Sequence, residues 1–449
     1  MSLLRAIFAR PIYGSSGQLT VEVDAVLQDG SFGRTSLPAS ALKKGVSPAN
    51  PTPVPLTLES FQAVGRLVNE TLAAGLVDWD ALDQAGLDQR LEDLVQNSQL
   101  GTIRSAVTLA ISVSVARAAA RYTGQTFWRY LGGGHANLLP VPWFHLTESS
   151  LTSRRGRGNL ARGAERESSS APPASVMAGL TILALPVGMP NYQDALRCGC
   201  ALYQQLEQSL SGTPTSGLLG PHGGHVVTGM PLERILELVL RTIERAGFRP
   251  GQEVMLAFDM EADRRFEPEN ETYRVDGEQI DAATWLTNLT AYAQKYPIAA
   301  LIDSCRADDA AAGQLVTARL GTRVQLVRDR LFEAERTDRS DSTSPLAAAS
   351  AALGNTQRLS CVGLGSLTEA FRISHQADAY GQRLLLCPGQ GETEDPLIAE
   401  LSVILRTGQL LAGATCRSDS LAKYNQLLRL AEELGRNALY AGRGCLQRG

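Results

Sequence analysis

The sequence predicts an α/β chain in two parts, an N-terminal α+β cap followed by a β/α barrel of the TIM type. Three observations carry this expectation. Residues 18–29 alternate apolar and polar side chains up to a turn, the next stretch changes to helical spacing, and beyond Leu139 apolar runs of strand length recur between helical segments to the C-terminus.

In the cap, Leu19, Val21 and Val23 face one way, Thr20, Glu22 and Asp24 the other, and Asp29-Gly30 supplies a hairpin turn. Residues 58–95 carry two helical stripes: Phe61, Val64, Leu67, Val68 and Leu72, then Leu87, Leu91, Leu94 and Val95. Residues 105–121 are alanine-rich and apolar on most sides, which predicts a buried helix. Barrel strands are expected at 180–186, 253–259, 299–303, 324–329, 359–364, 384–387 and 410–413, apolar runs suited to a parallel sheet covered on both faces. The clearest helix between them has Pro231 in its first turn, Leu232, Ile235, Leu236, Val239 and Ile243 on one face, and a stop at Gly247. Seven or eight such units after a cap point to a closed barrel rather than an open sheet. The domains are therefore expected at 1–138 and 139–449. Residues 149–175 are rich in Ser, Arg, Gly and Ala and read as a mobile insertion. Glu165 and Glu167 interrupt its arginines, so a solvated loop accounts for it better than an RNA contact. Residues 333–345 read the same way.

A chain of 449 residues exceeds what one hydrophobic core supports, so at least two domains are expected. With 44% hydrophobic and 20% charged residues it is an ordinary globular composition, and a net charge of -4 gives no steering field for nucleic acid. No run nears the roughly 18–20 apolar residues of a membrane helix, and the first ten residues lack the regions of a signal peptide, so no membrane partner and a cytoplasmic location are expected. Seven scattered cysteines argue against a disulfide framework, and Cys198 and Cys200 are too close for a zinc knuckle and read as buried thiols. Of 42 basic residues only Lys43, Lys44, Lys295 and Lys423 are lysine, so lysine chemistry has few candidates.

Several stretches resemble enolase, the lyase that interconverts 2-phosphoglycerate and phosphoenolpyruvate. They are residues 15–23 (S-S-G-Q-L-T-V-E-V), 112–120, 129–133, 139–142, 297–309, 324–332, 365–369, 391–395 and 422–434, the last reading A-K-Y-N-Q-L-L-R-L-A-E-E-L. The resemblance spans nearly the whole chain. It implies an antiparallel N-terminal sheet with helices, then an eight-fold barrel, associated as a homodimer or with another enolase-like chain. Glu22 and Arg429 match positions of an ion pair across the family's dimer, although the arginine shortly before the strand is here Ser16.

The family's chemistry demands magnesium to hold a doubly charged intermediate and a base to take the proton. Of the three carboxylates the resemblance assigns to the main metal, Asp259 and Asp329 persist and the third is Ile302. Asp303 is adjacent, but neighbouring strand residues face opposite sides and it is not expected to substitute. The two active-site lysines fall on Ser360 and Leu411, the proton-donating glutamate on His222, and a further glutamate on Thr181. The S-H-R-S before G-E-T-E-D reads Cys387, Pro388, Gly389, Gln390, which removes the phosphate-binding arginine, and the mobile N-terminal loop reads A-S-A-L-K-K at 39–44, which removes its metal-binding serine. The family's histidine loop is replaced by the insertion at 149–175. Losing base, acid, metal ligand and phosphate clamp together implies an enolase-like chain without the enolase reaction, in a structural or binding role. No cofactor is then expected, magnesium belonging only to a partly functional site, and a protein partner is not identified by sequence. Two other readings are an active enolase, and a barrel enzyme of changed substrate with a softer metal on His222, His225, Asp259 and Asp329.

Overall fold

The computed structural model describes residues 1–42, 58–96, 104–148, 180–227, 229–275, 277–306, 308–328 and 354–446. The insertion expected at 149–175, the stretch at 333–345, Lys43, Lys44 and Asp329 lie outside the described residues.

Strands β1 (Leu4–Tyr13), β2 (Leu19–Leu27) and β3 (Phe32–Ser36) form an antiparallel sheet, with Gly30 at φ 91° in the expected hairpin turn. The sequence pattern did not reveal β1. A register shift between Leu4 and Ala6 puts Leu4 and Ile7 on the buried side, three residues apart, which breaks the two-residue period. Helices α1 (Leu58–Arg66), α2 (Gln84–Val95) and α3 (Arg104–Tyr122) follow. The stripe beginning in α1 continues through a wider turn at Leu67–Leu72, burying Val68 and Leu72. Asp83 caps α2 by accepting from the Gly86 amide. α3 lies so close to the sheet that a Cβ on Gly33 would sit 1.9 Å from the Ser114 carbonyl oxygen, a contact only glycine allows.

The barrel has eight strands: β4 (Val141–Glu148), β5 (Thr181–Leu185), β6 (Met255–Asp259), β7 (Ile298–Ile302), β8 (Gln325–Arg328), β9 (Thr356–Ser360), β10 (Arg383–Cys387) and β11 (Gln409–Gly413). They pair in chain order and β11 returns to β4, closing the ring. The uniformly parallel barrel expected from the alternation is corrected at one strand: β5 runs antiparallel to both β4 and β6. Thr181 pairs with Asp259, so the start of β5, not its end, lies at the C-terminal mouth. Two further strand readings change. β4 was missed because Pro142, His145, Thr147 and Glu148 interrupt its apolar pattern although all eight residues are buried, and β9 covers Thr356–Ser360 rather than 359–364.

Inside the ring Trp143, Leu183, Leu185, Ala257, Ala300, Ile302, Val327, Leu385, Cys387 and Leu411 pack as one cluster. Outside it lie α4 (Tyr192–Leu210), α5 (Leu232–Arg245), α6 (Ala282–Lys295), α7 (Ala310–Leu320), α8 (Leu367–Ala379), α9 (Leu397–Ile404) and α10 (Ser418–Leu434). All five apolar residues expected on one face of α5 are buried, and Gly247 turns the chain beyond it at φ 87°. A single apolar core runs from Leu4 of β1 to Leu434 of α10, so cap and barrel share packing across residue 138. Cys198 is buried as expected, Cys200 only half-buried because it lies on the edge of the buried face of α4. Among the described residues no helix is long and apolar enough to cross a membrane.

Candidate functional site at the barrel mouth

Alternation along each strand decides which side chains enter the barrel. On this register Asp259, Ile302, Ser360, Cys387 and Leu411 converge at the C-terminal ends with His145, and Thr181 joins them because β5 is reversed. The centre of this mouth is apolar: Ile302 is 1% and Leu411 4% exposed, packed with Val327, Leu385 and Cys387.

Asp303 departs from expectation. It follows the last residue of β7 at φ 44°, a left-handed conformation that swings the side chain out of simple alternation, and its carboxylate lies 3.8 Å from Arg358 on β9. Glu261, after β6, turns the same way at φ 45°, and its amide donates to Asp259 at 3.2 Å. Burial first, then the neighbouring charge of Asp303, pushes the Asp259 carboxyl well above the usual range. Arg358 was overlooked in the sequence, although a lone arginine two residues before Ser360 in a buried strand is a legible signal.

Opposite stands a second group, of which the sequence singled out His222 alone. His145 and His222 stack with centroids 5.0 Å apart, and Glu148 approaches His145 Nε2 at 3.7 Å. Glu148 also accepts from the His222 amide at 3.0 Å, which pins the glycine turn carrying His222. Desolvation raises the Glu148 carboxyl to about 7 and lowers His222 to about 4, and it holds His145 well below its usual value. His225 stacks on Tyr203 at 4.5 Å instead of joining His222. Among the described residues no three His, Cys, Asp or Glu side chains assemble to hold a metal, and Asp329, the fourth member of the alternative centre with His222, His225 and Asp259, lies outside them.

The remaining sites are occupied by the chain itself. Ser360 Oγ accepts from the Val362 amide at 3.1 Å, so its hydroxyl serves the turn after β9. Beyond β10, the loop with Pro388 is closed by the cap: a Cβ on Gly389 would fall 2.6 Å from Pro38 and from Ser40 Oγ, so no larger side chain fits. The Gln390 amide donates to Ser40 Oγ at 2.8 Å and the Ala39 amide to the Gly391 carbonyl at 2.9 Å, fastening the short turn Ala39–Leu42. Lys423 is buried but ties Glu392 at 2.8 Å. Glu22 is held by Arg10 at 2.6 Å within the chain, and the Arg429 guanidinium donates to Gln426 at 3.0 Å. Magnesium demands several converging oxygens. Among the described residues the carboxylate named for the metal is Asp259, beside Ile302, while Asp329 lies outside them.

A pH dependence follows from the mouth. Glu148 and Asp259 have folded values raised above the unfolded ones, so between the unfolded carboxylate range and about 7 for Glu148, about 8 for Asp259, the folded state binds more protons than the unfolded state and stability falls as pH rises. His222 and His145 are lowered, so stability falls as pH drops below the unfolded histidine value near 6.5. Urea midpoints across pH are expected to peak on the acid side of neutrality, with slopes up to about 1.4 kcal/mol per pH unit per proton. Glu148→Gln should flatten the alkaline limb; an unchanged limb would contradict the assignment.

Comparison with known proteins places this geometry. Residues 4–131 match the family described as enolase, N-terminal domain, and residues 176–448 match enolase, C-terminal TIM barrel domain. Enolase of Tropheryma whipplei strain Twist is 32% identical over 449 residues, covering 98% of both chains. Enolase of strain TW08/27 is similar to the same extent, 32% identical with 98% of both chains covered. The chain belongs to the enolase family.

Proposed function

We propose that this enolase-family chain does not catalyse the interconversion of 2-phosphoglycerate and phosphoenolpyruvate and acts in the cytosol as a binding or structural component. One observation carries the reading. Ile302 and Leu411, at the positions the family resemblance gives to a metal-binding glutamate and an active-site lysine, are buried in one apolar cluster at the mouth. An apolar side chain neither grips a divalent cation nor accepts a proton, and each lost catalytic element typically removes a factor of roughly 10² or more. Thr181, Ser360 and His222 at further positions of the family's machinery add to the deficit. Purified protein with magnesium and 2-phosphoglycerate is expected to show no rise in enol absorbance above a protein-free control. Turnover within a few orders of magnitude of a true enolase would overturn the reading.

The partner favoured is a second enolase-type chain, docked on the face that carries Glu22 and Arg429. Because Glu22 is already engaged by Arg10, an intermolecular pair would share that carboxylate rather than satisfy an unpaired one. Arg429→Glu is expected to shift light-scattering mass from dimer to monomer. A monomeric parent chain would refute this part of the proposal.

A further inference from the structure

We propose that the foot of the barrel, on the face opposite the mouth, holds ordered water bound between Gln325 of β8 and Gln409 of β11 beneath the C-terminal segment. The inference is independent of the non-catalytic reading. Gln409 and Gln325 are the first residues of their strands and share the inward register of Leu411 and Val327, so both amides point into the ring at its foot. Residues 439–446 cross below them. Leu439 and Tyr440 pair with Leu138 and Leu139, the Tyr440 hydroxyl donates to the Pro186 carbonyl at 2.9 Å, and Arg443 donates to the Gly251 and Gln252 carbonyls, each at 2.6 Å. Cys445, 3% exposed, then meets both strands. Its carbonyl accepts from Gln325 Nε2 at 2.8 Å, and a Cβ on Gly408, the residue before Gln409, would fall 3.3 Å from its own.

The two glutamines leave polar atoms unserved in this foot. Gln325 Oε1, Gln409 Oε1 and Gln409 Nε2 have no hydrogen-bond partner among the described residues, although Gln409 is 0% and Gln325 3% exposed. Turning the amides over does not help, since Gln409 lacks partners at both ends and turning Gln325 breaks its bond to Cys445. A buried amide without partners costs as much as a lost hydrogen bond, and folded chains rarely keep such groups unserved. What serves these must donate to the amide oxygens and accept from the Gln409 nitrogen. A simple anion cannot donate. A cation cannot accept, and it would share the foot with Arg383, whose charge acts on the Cys445 thiol. Water does both and is small enough for a site this buried. The C-terminal segment is then fastened to the barrel through trapped water as well as through the direct bond to Gln325.

The test uses the full chain. A high-resolution crystal structure is expected to show water density within hydrogen-bond distance of Gln325 Oε1 and of the Gln409 amide. Oxygen-17 relaxation dispersion should count fewer long-lived waters in Gln409→Met than in the parent. Melting temperature adds a test of sign. If water serves the Gln409 amide, Gln409→Met loses those bonds and melts lower, by roughly one to three degrees. If the amide is dry, methionine removes an unpaired group and the variant melts higher. Gln325→Met also loses the bond to Cys445 and should melt lower still, and the double variant should fall short of the two single losses added together, because both side chains hold the same water. A Gln409→Met chain that melts as high as the parent or higher, an unchanged water count, or additive losses would each overturn the proposal. Should the variants not fold, the parent's crystal structure decides: glutamines bonded to each other, or packed without water density, defeat it.

Discussion

Lys423→Met is expected to destabilise the protein by about 3–5 kcal/mol, measured as a fall in urea midpoint at unchanged slope. Lys423 is 1% exposed on α10, with Nζ 2.8 Å from Glu392 Oε2 and a second bond to the Thr393 carbonyl. Glu392 in turn accepts from the Gly389 amide at 2.7 Å, so one ion pair sets the loop that the cap closes over. Methionine matches the stem of lysine but leaves a buried carboxylate without its cation, and the cost lies in that orphaned charge more than in lost contacts. Lys423→Met with Glu392→Gln should recover a large part of the loss. A single variant as stable as the parent would show that the pair contributes nothing.

This lysine also shows what the sequence could and could not disclose. A count of four lysines, with Lys423 in a helix motif, was legible, and the structure gives it a structural partner away from the apolar centre of the mouth. The apolar residues of α5 and the strands at 253–259 and 410–413 were legible because burial on one face, or on both, writes a simple period. β4 was not, because a strand whose inner residues are Trp143 and His145 and whose end is Glu148 has no apolar run to find. Reversal of β5 was equally hidden, since strand direction depends on pairing and not on composition. Asp303 was misjudged for a related reason: alternation holds only while the backbone stays extended, and a left-handed residue directly after a strand cancels it. Asp259, Ile302, Ser360, Leu411 and Thr181, named by resemblance, lie at the mouth, and Asp329 lies outside the described residues. The groups that now fill it, His145, Glu148 and Arg358, were invisible to a comparison that asks only what has been lost.

Arg117→Met is expected to cost at least as much as the lysine change, again about 3–5 kcal/mol, and to do so in a pH-dependent way. Arg117 reaches from α3 to the segment that enters α9 outside the barrel ring, bonding Asp395 at 2.7 and 2.8 Å and Glu400 at 2.9 Å. Burial alone would raise both carboxyls. Asp395 is nevertheless lowered, by Arg117 together with the amides of Ser36 and Leu397, whereas Glu400, which faces Asp395, remains raised by desolvation. Without the guanidinium both folded values rise further while the unfolded values stay fixed. The variant's folded state then binds more protons than its unfolded state above the ordinary carboxylate range, so its stability falls as pH rises and its deficit against the parent grows. Urea titrations at about pH 5.5 and about pH 8 should find the larger deficit at the higher pH. Equal deficits would mean that Arg117 acts by packing, for instance through its 5.1 Å contact with the Phe127 ring, and not by holding two acids of the barrel against the cap.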